Sequence, residues 1–186
     1  MKYLFFIFTL ITVSCKAQTV SLESAAQCRG TGNCPNFKFI KDFNNSLDKY
    51  VGTWKGNYNG KTYELNFTKK LEIGEDIKKD RLIGRMRIKD SGGNIIYDTF
   101  NEPDDMKTNF MGDNFQSDLK CYMIYFVGDT PKGCINYGTV YLTIKPQTPN
   151  QMSVFYWGEY DIVEGVCPSG FATTFPEKKN IFLTKQ

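Results

Sequence analysis

The chain has no histidine among its 186 residues. That absence removes Ser-His-Asp and Cys-His catalysis and His-ligated catalytic zinc together, since each needs an imidazole to move a proton or hold the metal. There is no Gly-x-Ser-x-Gly elbow, no Walker loop and no dinucleotide fingerprint, so the corresponding hydrolase, phosphate-binding and Rossmann chemistries have no signature. No two cysteines stand in a Cys-x-x-Cys pair, the usual spacing of a thiolate zinc site. Neither a metal nor a cofactor is expected.

Long apolar runs are scarce too. The longest, Tyr3 to Val13, falls short of the about 20 residues that a helix rising ~1.5 Å per residue needs to cross a bilayer. With Lys2 before it and small residues after it, this run reads as an export leader occupying residues 1–17. Two exits compete. Ser14-Cys15 has the form of a lipobox end, which would make Cys15 a lipidated N-terminus. Cys15-Lys16-Ala17 before Gln18 has the form of a small-x-Ala site, which would release a soluble protein. Contact with a membrane is expected only through such an anchor. Residues 18–186 suffice for one domain with a real core. Without Lys2 and Lys16 the net charge of +3 falls to about +1, well short of the basic excess that nucleic-acid binding needs.

Export turns the cysteines into disulfide candidates. Beyond the leader these are Cys28, Cys34, Cys121, Cys134 and Cys167. Five is odd, so one stays free or pairs with Cys15. Cys28 and Cys34 enclose a short Gly-rich loop and are placed to close locally; Cys121 and Cys134 fall on neighbouring strands and are candidates to bridge them.

Residues 18–50 read as an N-terminal arm followed by a short helix. The arm is polar and small; the helix rests on Phe39, Phe43, Leu47 and Tyr50 at three-to-four spacing. From Val51 the period becomes two, and residues 51–186 form the main domain. Asn59-Gly60 marks a tight hairpin, because both turn residues must tolerate positive φ. Strands are expected at 51–58, 61–69, 81–89, 94–100, 119–127, 135–145, 151–157 and 180–185, with a long polar loop at 101–118. The nearly all-apolar 119–127 reads as a strand covered on both faces. Eight strands joined by mostly short turns hide their edges most simply by closing, so the expected fold is all-β: an eight-stranded antiparallel up-and-down barrel preceded by a short helix.

The opening Val51-Gly52-Thr53-Trp54 after a short helix resembles that of lipocalins and their calycin relatives. The resemblance implies structural roles for Gly52 and Trp54, with the indole closing one barrel end beneath a basic side chain near the C-terminus, Lys178 or Lys179. A wider match covers most of the chain. Phe43-Asn44-Asn45-Ser46-Leu47-Asp48-Lys49-Tyr50-Val51-Gly52-Thr53-Trp54-Lys55, then Asn59-Gly60-Lys61-Thr62, then Asp80-Arg81-Leu82-Ile83-Gly84, is similar to a family of exported proteins of Flavobacteria and other Bacteroidetes. It implies export and carries no assigned biochemistry.

Tyrosine and phenylalanine number 11 and 15. Tyr122, Phe126, Tyr137, Tyr141, Phe155 and Trp157 are the candidate lining of a barrel interior that would suit an apolar or flat ligand. The expected function is therefore non-enzymatic: a monomeric barrel exported to the envelope, periplasm or medium that binds a small apolar ligand or an envelope protein. A second reading is an interaction or inhibitor module working through loops 101–118 and 165–177. A third is a carboxylate-dependent hydrolase using Glu159, Asp161 and Glu164, or Glu102, Asp104 and Asp105, since two flanking acids are what glycoside hydrolysis requires.

Overall fold

The two-residue period that begins at Gly52 builds a sheet that closes on itself. The computed structural model describes residues 18–32 and 34–186; the leader and Cys15 lie outside the described residues. Eleven strands are described: β1 (Thr19–Ser21), β2 (Phe39–Lys41), β3 (Gly52–Tyr58), β4 (Lys61–Ile73), β5 (Lys78–Lys89), β6 (Ile95–Asp98), β7 (Phe110–Phe115), β8 (Tyr122–Val127), β9 (Tyr137–Ile144), β10 (Gln151–Gly158) and β11 (Asn180–Lys185). One α-helix, α1 (Leu22–Thr31), and a single 3-10 turn at Asp48–Tyr50 precede the barrel.

Eight strands form the barrel in the order β3-β4-β5-β7-β8-β9-β10-β11, every neighbour antiparallel. The last returns to the first through Thr184↔Lys55 and Lys185↔Trp54. The Asn59-Gly60 turn has φ of 47° and 73°, the doubly positive geometry that matches strand twist in a two-residue hairpin. Closure is uneven. One edge of β5 is divided among β2 (Phe39↔Lys78, Ile40↔Lys79), β6 (Arg87↔Asp98 to Lys89↔Ile95) and β7, which it meets through the single pair Ile83↔Met111.

Two expectations are corrected here. The count of eight holds, but its fourth member is β7, inside the segment expected to be a loop; β6 at 95–98 is an outer ribbon on β5. β7 hides because its register shifts between Gly112 and Asn114. Such a bulge breaks the alternation by which a strand is read. Within 37–50 only a single 3-10 turn forms, at Asp48–Tyr50, and the α-helix lies at 22–31. Ser21 caps it by accepting from the Ser24 N–H at 3.1 Å, and Gly32 ends it in the left-handed conformation. Its buried face is only Leu22, Ala25 and Ala26, too small-sided to announce itself. In the expected helix, the buried Asp42 carboxylate takes the N–H groups of Ser46 (2.7 Å) and Leu47 (3.2 Å), which competes with helical bonding. Phe43 is left 61% exposed.

Inside, aromatic rings fill the barrel. Phe110 packs on Phe67 (5.5 Å between centroids) and Phe126 (5.6 Å). Gly84 makes room for it: a Cβ there would meet the Phe110 ring at 2.2 Å. Phe175, from the segment between β10 and β11, closes the mouth against Phe126 (5.1 Å), Tyr156 (5.8 Å), Phe110 (5.8 Å) and Tyr63 (6.3 Å). Burying each such ring contributes about 1.5–3 kcal/mol, with edge-to-face pairing adding to it.

Candidate functional site

The six aromatics expected to line the interior divide by strand parity. Tyr122 and Phe126 point inward and are fully buried. Tyr137, Tyr141, Phe155 and Trp157 face outward: on β9 and β10 the buried positions are Gly138, Val140, Leu142 and Ile144, and Met152, Val154, Tyr156 and Gly158. Aliphatic side chains, Tyr156 and the incoming Phe175 already occupy the tube, so the remaining rings take the opposite parity.

The outer surface is accordingly two-faced. Over β3–β5 it is a lattice of ion pairs. Glu64 joins Lys55 (3.0 Å) and Lys89 (3.7 Å), Asp105 joins Arg85 and Lys70 (both 2.8 Å), and Asp98 joins Arg87 (2.9 Å). Over β8–β11 no outward-facing residue is charged. Cross-strand register places Met111, Tyr125, Thr139 and Trp157 in one row and Met123, Tyr141 and Phe155 in the next. Ring contacts run from Tyr141 to Phe155 (6.1 Å) and on to Trp157 (6.5 Å). Tyr125 is 44%, Trp157 45% and Phe182 70% exposed. β8 is thus covered on one face only, contrary to the two-sided cover expected of it.

The rim of this wall is polar and ordered. The Lys178 ammonium lies 4.9 Å from the ring centres of both Trp157 and Tyr160 and donates to the Tyr160 hydroxyl, which donates to Glu177 at 2.8 Å. Tyr137 donates to Asp161 at 3.0 Å, and that bond holds its hydroxyl above the usual tyrosine range. The segment carrying these groups is pinned by the Cys134–Cys167 disulfide and by Asn136, which donates to Thr174 Oγ1 and accepts from the Thr174 N–H, each at 2.9 Å. Beside it a groove of about 480 Å³ is bordered by Glu159, Tyr160, Phe171 and Glu177.

The other candidates fall as follows. Cys28–Cys34 closes locally as expected. Cys121 does not bridge to Cys134; it is free and buried, donating to Gln116 Oε1 at 2.9 Å. The reason is direction: β8 and β9 are antiparallel with Val127 opposite Tyr137, so residues preceding each strand lie at opposite ends. Trp54 is fully buried, its Nε1–H donating to the Tyr50 carbonyl at 2.7 Å. The cation over it is Lys185, 5.3 Å from the ring, instead of Lys178 or Lys179. Gly52 has φ of 115°. Among the acids, Glu159 borders the mouth groove with Glu177, whereas Asp161 is engaged by Tyr137 and Glu164 pairs with Lys132 (3.3 Å). Asp105 is tied up by two cations, and Asp104 caps the Met106 N–H. Sequence reasoning passed over Tyr125, Phe182, Arg81, Phe175 and Lys185. For the first two the signal was present, as strands 122–127 and 181–183 are apolar on both parities.

The fold is that of a closed eight-stranded antiparallel barrel with its mouth sealed by a cross-linked segment. Residues 1–184 match the model of a family described as "Family of unknown function (DUF6705)", and the chain belongs to that family. No curated protein and no solved structure matches it.

Proposed function

We propose that this chain is a non-enzymatic binding protein of the cell envelope that engages a protein partner through the aromatic outer wall of β8–β11. The observation that carries this reading is the contrast between the two walls: one laced with ion pairs, the other free of charge and set with exposed Trp, Tyr and Phe. Aromatic residues are enriched, and charge depleted, at the centres of protein interfaces, and Trp and Tyr dominate their energetics. A continuous exposed apolar face on a soluble domain marks an interaction site. Lys178, Tyr160, Asp161 and Glu177 supply the polar rim that such a patch needs. The two disulfides are compatible with a periplasmic or extracellular location, and no helix among the described residues is long and apolar enough to cross a membrane.

A photo-crosslinking residue placed at Phe155, and in a second variant at Phe182, tests this in cells of the source organism. A discrete adduct of one size is expected from both. The same probe at Thr62, on the ion-paired wall, should give none. Absence of adducts at Phe155 and Phe182, or equal labelling from Thr62, overturns the assignment.

A further inference from the structure

Where the apolar wall meets the β5–β7 junction, one cation has no acidic partner. Arg81, on the outer face of β5, has no carboxylate within ion-pair distance among the described residues. Its Nη1 lies 2.9 Å from the Met111 sulfur, a weak acceptor, and its buried Nε has no acceptor among the described residues. The neighbourhood is short of negative charge. Lys79 (3.0 Å) and Arg29 (3.9 Å) share the single carboxylate of Asp113, which leaves three cations to one acid. Arg81 and Asp113 border a groove of about 360 Å³ whose other walls are Met111, Met123, Tyr125 and Thr139.

We propose that this groove binds a small organic acid, its carboxylate held by Arg81 and its apolar, ring-sized body laid against Met111, Met123 and Tyr125. A guanidinium presents paired N–H donors that match a carboxylate in a fork, and it stays charged at any working pH. Thioether side chains adapt their shape to an apolar guest and make favourable contacts with aromatic rings. The groove's size falls at the lower end of the range for small-molecule sites. The site adjoins the partner surface proposed above and shares Met123, Tyr125 and Thr139 with it, but its anchoring charge is on β5 and Trp157 does not border it.

Titration of the folded protein with 4-phenylbutyrate, followed through the methionine methyl NMR signals, tests the proposal; 4-phenylbutan-1-ol is the uncharged control. Saturable shifts of Met111 and Met123 are expected with a Kd of about 1 mM or tighter, in keeping with a ligand of this size. The alcohol should bind at least about tenfold more weakly, the loss expected when a charge-assisted bond is missing. Arg81→Gln should weaken the acid by about the same factor. Arg81→Lys, which keeps the charge and loses the fork, should also bind more weakly than the native chain. Trp157→Ala, a change aimed at the partner surface, should leave the acid's affinity unaltered, so the two proposals fail separately. Equal binding of acid and alcohol overturns the assignment. So does unchanged affinity in Arg81→Gln, or a lack of saturable shifts up to about 20 mM acid.

Discussion

Replacing Phe175 by alanine removes the ring that seals the barrel mouth. The side chain is 1% exposed and lies within 5.1–6.3 Å of four other buried rings. Truncating a buried phenylalanine costs about 3–5 kcal/mol, through lost transfer energy and the cavity left behind. The upper half of that range applies, because Phe126, Tyr156, Phe110 and Tyr63 come from four different strands and cannot all move in to fill the gap. At about 2–4 °C per kcal/mol for a domain of this size, a loss of about 4 kcal/mol lowers Tm by about 8–16 °C. Urea unfolding followed by tryptophan emission measures the loss directly. The void would be apolar and ring-sized, so benzene at saturation should recover part of the stability, as dry engineered cavities take up such guests. Phe171→Ala, in the same segment but outside the ring cluster, should cost under about 1 kcal/mol. A Phe175→Ala loss below about 1 kcal/mol, or one equal to that of Phe171→Ala, would refute the description of Phe175 as a plug.

Three further outcomes are expected. Cys134→Ser with Cys167→Ser opens a loop spanning 33 residues of sequence and should cost about 3–4 kcal/mol in non-reducing urea unfolding, from the chain entropy restored to the unfolded state. Burial raises the Cys121 thiol to about 11, so at pH 8 iodoacetamide should leave it unmodified in the folded protein and alkylate it fully in urea. Hydrogen bonds from Lys70 and Arg85 hold the Asp105 carboxyl below its ordinary 3.8. A depressed carboxylate stabilises the fold above its unfolded value, and the contribution is lost as pH falls through the folded one. Asp105→Asn should therefore flatten the loss of stability below about pH 4, read from urea midpoints across that range.

What could be read from the sequence was what alternation writes. β3, β4 and β5 keep one apolar parity, β9, β10 and β11 read as strands from their aromatic and β-branched residues, and the Asn59-Gly60 turn fixes a hairpin, so barrel closure followed from edge avoidance. β7 was lost because Gly112-Asp113-Asn114 contains the bulge. The helix was lost because Leu22, Ala25 and Ala26 make a face too slight to stand out from the polar arm. In the stretch where a helix was expected, Phe39 belongs to a strand, and only Leu47 to Tyr50 turn helically, as one 3-10 turn. Spacing also could not say which parity of β9 is inside, since both carry bulky side chains: Tyr137 and Tyr141 on one, Val140 and Leu142 on the other. What decides is the volume of the tube, already taken up by rings from β4, β7, β8 and β10. Arg81 was illegible for a different reason, as a missing partner is a fact of three-dimensional surroundings.

The junction of β5 with β7 gives the barrel one soft stitch. Seven of its eight strand boundaries are held by two or more rungs, and this one by the single rung Ile83–Met111 with side-chain bonds from Lys79 to Asp113 and from Arg81 to Met111 beside it, so changes of girth should concentrate there. Backbone amides of β7 facing that stitch should exchange with solvent well before those of β9, which is laddered on both sides. Whatever settles against Arg81 and Met111 rests on the two lips of this slit, and would act as a clasp on the whole tube.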